Sequence, residues 1–287
     1  MTTRTLDDRR LWTFFGLTYG LSWLFWVPSA LFGRDYTSSA WVIPFLLGGF
    51  GPSAAGVIMV YRSRTREARR DFWKRVIDVR RISAGWGLFI LLIFPVLFAL
   101  TFLIDTLFGH ALPAFETLAE IAAHPLLLVG MAVGGIITGP LSEELGWRAY
   151  ALDRLQARWS PLVSSLILAP FWWGWHLPLF FMRGTTQHAW GFGTPAFWLF
   201  LLGILPLSVL LTWVYNHNGR SILAAILLHF TYNVTIGLAQ PLPVRVNQLH
   251  VILLFITAAG LALASARSKG ASRVATTYEV DNGKASK

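Results

Sequence analysis

The chain has 287 residues, of which 55% are hydrophobic and only 13% are charged, with a mean hydropathy of +0.55. A soluble domain is far less apolar, so most of the chain must lie in a lipid bilayer, and no room remains for a sizeable soluble domain. The absence of cysteine excludes disulfides, thiolate metal ligands, a cysteine nucleophile and cysteine lipidation. A net charge of +10 would suggest a nucleic-acid partner for a soluble protein. In a membrane protein it bears on orientation instead, and we predict no nucleic-acid binding.

Apolar runs follow one another along the whole chain. A membrane-spanning helix needs roughly 20 mainly apolar residues. The sequence therefore predicts an all-α, polytopic transmembrane bundle of about eight spans. The runs fall at about residues 11–32, 40–61, 86–104, 126–150, 162–181, 196–215, 221–239 and 251–266.

Basic residues are concentrated at one end of this predicted bundle. If both termini and the even-numbered loops are cytoplasmic, all of the 24 Lys and Arg residues except Arg34, Arg183 and Arg245 fall on the inner side. Because loops rich in Lys and Arg stay in the cytoplasm, we predict a multi-pass protein of the cytoplasmic membrane with both termini inside. The densest basic segment, residues 62–81, is interpreted as an anchor on anionic lipid.

The chain divides into three parts in this interpretation. Residues 1–130 hold the N-terminal spans and the basic cytoplasmic loop, and residues 131–266 hold the candidate catalytic core. Residues 267–287 form a polar tail that is poor in bulky apolar residues, and we predict that it is disordered.

Few ionisable side chains lie within the apolar runs. Each is costly in hydrocarbon and is therefore a functional candidate. They are Glu143, Glu144, Arg148, His176 and His229.

The fourth run contains two neighbouring glutamates with different expected partners. Glu144 and Arg148 are four residues apart, so they should pair on one helical face. Glu143 is rotated by about 100° and is left free to face a cavity. A carboxylate withdrawn from water takes up a proton more readily, which makes Glu143 the candidate general base. The alternative is an ion-pair network that only holds helices together.

Two further helices contribute histidines. His229 and Asn233 share one face of the seventh helix, where Asn233 could orient the ring or donate to an oxyanion, or the pair could simply join two helices. His176 lies on an otherwise apolar and aromatic fifth helix, where a packing role is the alternative. Counting from the cytoplasmic helix ends puts His229, Glu143 and His176 at depths of roughly 12, 15 and 21 Å. We therefore expect three helices to converge on one buried site that is open to the cytoplasm.

These residues resemble the motifs of a known family, the type II CAAX prenyl endopeptidases and their prokaryotic relatives, the CPBP intramembrane proteases. The first motif of the family is two glutamates, three residues and an arginine, and it is met by Glu143, Glu144 and Arg148. The third motif is a histidine, three residues and an asparagine, and it is met by His229 and Asn233.

The second motif departs from the family pattern, which is usually phenylalanine, three residues and histidine. Here Trp172 takes the aromatic position before His176. The resemblance covers about residues 139–234, with the three motifs in family order on separate helices.

The resemblance implies an endopeptidase that hydrolyses a peptide bond of a membrane-associated peptide or protein. Eukaryotic members remove a C-terminal tripeptide from prenylated proteins. By matching motif, Glu143 would activate the attacking water, with His176 assisting. The second glutamate and the arginine of the first motif would support the site, and the third motif would stabilise the oxyanion.

Other chemistries and functions remain open at this point. No cofactor is predicted, but Glu143, His176 and His229 could equally hold zinc with an open position, although neither helix has the H-E-x-x-H spacing. A non-catalytic membrane protein with an immunity, peptide-binding or scaffold role is one alternative. A transporter is another, although the chain contains no inverted repeat.

Overall fold

The computed structural model describes residues 3–33, 35–38, 40–63 and 65–284, and it describes side-chain surroundings for 9–33, 35–38, 40–62 and 65–265. Every regular element within these residues is helical, and several helices are long and apolar, so the predicted all-α membrane fold is confirmed. The α-helices are α1 (Thr3–Leu31), α2 (Val42–Gly49), α3 (Gly51–Ser63), α4 (Arg66–Ile77), α5 (Ala84–Leu107), α6 (Glu116–Ala123), α7 (Leu126–Ile136), α8 (Ser142–Gly146), α9 (Asp153–Gln156), α10 (Pro161–Trp175), α11 (Thr186–Trp190), α12 (Pro195–His217), α13 (Ile222–Leu238) and α14 (Val244–Lys284).

The predicted number of about eight spans is not confirmed. In the described part of the chain five helices are long and apolar enough to cross a membrane, and the pair α2 and α3, bent by 43°, would make a sixth. The helices of the fifth and seventh apolar runs, α10 and α13, have only 15 and 17 residues, short of the roughly 20 that a span requires. The length of an apolar run overestimates the length of its helix when the helix ends inside the run. Helix α10, for example, ends just before His176, whereas its apolar run continues to about residue 181.

The last helix continues beyond its apolar part. Residues Val244–Ser265 are a candidate span, and the helix runs on to Lys284, where the sequence predicts a disordered tail. No proline follows Pro243 to interrupt helical hydrogen bonding, and residues 285–287 lie outside the described residues. The proposed divisions at residues 130 and 266 stay predictions.

Close packing of α3 against α8 positions the segment that carries the two glutamates. A Cβ atom on Gly56 of α3 would lie only 2.5 Å from the carbonyl oxygen of Leu145, so glycine is required for this approach. The Ser53 hydroxyl on the same helix donates to the carbonyl oxygen of Leu141 at 2.8 Å. Helix α3 therefore fixes the position of the segment that carries the glutamates through contacts with its backbone.

An amphipathic helix closes the end of the bundle that carries the basic residues. Helix α4 packs against α3 and α13 with Phe72 and Arg75 buried. Arg75 donates to the Tyr215 hydroxyl at 2.6 Å and pairs with Asp153 at 3.4 Å, while that hydroxyl donates to Asp153 at 2.7 Å. Arg220 adds a second ion pair to Asp153. A charged but internally paired layer therefore separates the bundle interior from this end.

Candidate active site

The two glutamates lie on a single helical turn between two π-helical segments. Helix α8 follows the π segment Ile137–Leu141 and precedes the π segment Trp147–Leu152. Pro140 lies in the first of these, and because proline has no N–H group it removes a helical hydrogen bond there. π-helical turns are frequent at functional sites. The apolar run predicts a regular helix here, and Pro140 is the sequence signal for the departure from it.

Glu144 forms the centre of a buried ionic cluster. Its Oε1 accepts a hydrogen bond from Arg148 Nη1 at 3.0 Å and another from His229 Nδ1 at 2.7 Å, and Glu144 and Arg148 are fully buried. The predicted pair with Arg148 is therefore confirmed, whereas the bond to His229 was not predicted. An ionised carboxylate can only accept, so Nδ1 of His229 carries a hydrogen and Nε2 is its remaining polar atom.

Glu143 makes different contacts from its neighbour. Its Oε2 accepts a hydrogen bond from the indole Nε1 of Trp172 at 2.5 Å, and the residue is 5% exposed. The Trp172 ring also stands edge-on to His229, with ring centroids 5.3 Å apart, and the Cζ of Arg148 lies 4.3 Å from its centroid. One tryptophan thus contacts the first and third motifs together.

His176 is fixed at the end of α10. Its Nδ1 lies 2.8 Å from the carbonyl oxygen of Trp172. Because a carbonyl only accepts, Nδ1 is the donor and Nε2 is the ring nitrogen left for other contacts. The rings of Trp175 and Phe200 pack edge-on against the imidazole at centroid distances of 4.6 and 5.2 Å.

The predicted convergence of three helices is confirmed by one shared cavity. Glu143, His176, His229 and Asn233 all line a cavity of about 610 Å³. Asn233 lies beside Gly139, where an added Cβ atom would be 2.9 Å from its Nδ2. Glycine at this position therefore leaves the space that the amide occupies.

The direction in which this cavity opens corrects one expectation. Its outer part is lined by residues that all lie away from the end closed by α4, namely Tyr36, Thr185, Thr186, Gln187, Ala189, Trp190, Gln240, Leu242, Val244 and Asn247. None of the described loop residues at the basic end lines it. A site open to the cytoplasm is therefore wrong if the basic end is cytoplasmic. The depth of the residues was predictable, but the closure by α4 was not.

Zinc binding by Glu143, His176 and His229 stays an open prediction. Zinc needs at least three protein ligands around one point. Within the described residues no three His, Asp or Glu side chains are grouped so that they could hold a metal ion, and this includes Glu143, His176 and His229. No step of the proposed reaction below uses a metal.

The fold and the cavity together define a polytopic membrane protein with a buried carboxylate and histidine site. Residues 125–235 match the family described as type II CAAX prenyl endopeptidase, Rce1-like. The chain is also 28% identical over 261 residues to CAAX prenyl protease 2 of Methanococcus maripaludis. The aligned region covers 87% of this chain and 92% of that protein. The resemblance predicted from the three motifs is confirmed over a wider region than the motifs themselves, and it supports endopeptidase activity in a membrane.

The role of Trp172 is the main feature that the sequence analysis missed. Phenylalanine, the usual residue at this place in the motif, has no N–H group and could not donate to Glu143. The departure from the motif was itself the signal, because it replaces an apolar ring with a ring that carries a donor.

Proposed function

We propose that this protein is an intramembrane endopeptidase in which Glu143 activates a water molecule for attack on a peptide bond. The contact pattern of the two glutamates carries this proposal. Glu144 is held by Arg148 and His229, whereas Glu143 faces the cavity and is held through one oxygen by Trp172. A general base must be held in place and face the space that its water would occupy, and Glu143 is held by Trp172 and lines the cavity.

In the proposed reaction, Glu143 takes a proton from water and the resulting hydroxide attacks the carbonyl carbon of the scissile bond. Negative charge develops on the carbonyl oxygen. Asn233 donates its amide N–H to this oxyanion, and His229 donates from Nε2 in its protonated form, for which Glu144 is the counter-charge. The proton on Glu143 then passes to the leaving amine as the C–N bond breaks.

His176 and Arg148 have supporting roles in this scheme. The donor bond from His176 Nδ1 to the Trp172 carbonyl leaves Nε2 as an acceptor that can hold the attacking water. Arg148 balances the charge of Glu144 and packs on the Trp172 ring. The substrate is a membrane-associated peptide or protein, and both termini of the enzyme are cytoplasmic. Because Glu143, His176, His229 and Asn233, which come from all three motifs, line one cavity, we propose neither the non-catalytic role nor the transporter.

The test compares two Glu→Gln variants of the purified protein in lipid vesicles. Glu143→Gln keeps the shape but removes the base, so cleavage of membrane-tethered reporter peptides should fall by about 10²-fold or more. Glu120→Gln is the matched control, because Glu120 is exposed on α6 and does not line the cavity. Full activity of Glu143→Gln at unchanged stability would refute the proposal.

A further inference from the structure

Hydrogen bonds identify which loops share each end of the bundle. At one end, the Tyr36 amide donates to the Arg183 carbonyl at 3.1 Å, and Arg245 pairs with Asp105 at 3.1 Å. At the other end, Arg81 donates to the Gly219 carbonyl at 2.5 Å. The two ends are therefore assigned by contacts, independently of how many helices cross the membrane.

The cavity is open at the first of these ends only. On α13, Ile222 and most of the residues as far as His229 are buried, whereas residues 230–238 are all partly exposed. Beyond the site in the other direction, Trp147, Tyr150 and Leu152 have no exposed surface. The layer of Arg75, Asp153 and Tyr215 follows, so a peptide has no passage from that side.

The charge distribution assigns these ends to the two sides of the membrane. Arg183 and Arg245 lie at the open end, and the other described basic residues outside the buried site belong to the closed end and the terminal helices; Arg34, Arg64 and Lys287 lie outside the described residues. The positive-inside rule therefore makes the closed end cytoplasmic. The cavity then faces the outer side of the membrane.

The wall of the cavity restricts the chemistry of what can enter. Apart from histidines and the phenols of Tyr36 and Tyr232, Glu143 is the only ionisable acid or base among the described lining residues. The amides of Gln187, Gln240 and Asn247 can bond to a peptide backbone. A charged substrate side chain would lose its hydration here without gaining a counter-charge. The remaining wall is largely aromatic, including Trp26, Trp175, Trp190 and Phe200.

We infer that the site acts on a peptide segment that is presented from the outer side of the membrane and is uncharged around the scissile bond. The cleavage part rests on the proposed function. The side of entry rests on the cavity and the charges alone.

Single cysteines report the side directly, because the chain contains no cysteine of its own. Ala189→Cys places a thiol on the exposed rim of the cavity, and Lys74→Cys places one on the exposed face of α4. A membrane-impermeant maleimide added to intact cells should label Ala189→Cys fully. It should label Lys74→Cys to less than about a tenth until the membrane is permeabilised. The reverse pattern would overturn the inference.

Reporter cleavage separates this inference from the proposed function. The same uncharged segment of a single-span reporter is placed just outside or just inside the membrane, and a matched version carries lysines in that segment. The wild type should cleave the outer uncharged reporter at least about tenfold faster than the other two, and Glu143→Gln should cleave none. Preferential cleavage of the inner or the lysine reporter would overturn the inference while the proposed function stands. Equal cleavage of the outer reporter by Glu143→Gln would refute the function while the side of entry stands.

Discussion

Replacing Glu144 by Gln should destabilise the protein more than it slows the chemistry. The change leaves Arg148 in a fully buried position without its counter-charge. Within the described structure, Arg148 Nε and Nη2 have no hydrogen-bond partner, so no second acceptor compensates. Breaking a buried ion pair from one side costs about 3 to 5 kcal/mol. The Gln oxygen can still accept one hydrogen bond, so we expect a loss of about 3 kcal/mol in the free energy of unfolding.

A second substitution tests whether the uncompensated charge is the cause. Arg148→Met in the Glu144→Gln background removes that charge, and it should restore roughly half of the lost stability, because the cation–π contact with Trp172 is lost as well. Unfolding by denaturant in detergent micelles measures both variants, with Glu120→Gln as the control. Activity per folded molecule should fall by about tenfold in Glu144→Gln, since His229 loses its charged partner. An unchanged unfolding free energy in Glu144→Gln, or no recovery in the double variant, would refute this assignment.

Three further substitutions follow from the same contacts. Trp172→Phe should lower kcat by about tenfold with little change in KM, because Glu143 loses one hydrogen bond. Trp173→Phe is the control and should leave kcat and KM unchanged, because the Trp173 ring nitrogen has no partner among the described residues. Gly139→Ala should displace Asn233 and lower kcat while the unfolding midpoint stays nearly the same, which kinetics and thermal unfolding of one preparation measure together. Arg75→Met should lower the unfolding free energy by about 1 to 2 kcal/mol, because Tyr215 and Asp153 lose their contacts with Arg75 while Asp153 keeps its ion pair with Arg220, and denaturant unfolding gives the value.

Contacts within one helix were predictable from the sequence, and contacts between helices were not. Glu144 and Arg148 are four residues apart, so helical geometry alone predicts their pair. The bond from His229 to the same carboxylate joins residues 85 positions apart. It depends on the packing of α13 against α8, which no spacing in the sequence encodes.

The number of spans and the accessibility of the site also depend on contacts between helices, so they were not predictable from the sequence. Hydropathy locates apolar runs but does not show that α10 ends before His176 or that α2 and α3 are bent apart. The sequence predicts that the basic segment is a lipid anchor. Only the three-dimensional structure shows that Phe72 and Arg75 of this segment are buried against the bundle. That closure determines which end of the cavity is open.

The most direct measurement is a double-mutant cycle on Glu143 and His229, which are proposed to act on the same peptide bond. Single-turnover cleavage rates are compared for the wild type, Glu143→Gln, His229→Ala and the double variant, each shown to be folded. When two residues act in one reaction step, the rate losses caused by their substitutions are strongly non-additive. The double variant should therefore be about as slow as the slower single variant. Losses that multiply in the double variant would contradict a shared reaction step at this site.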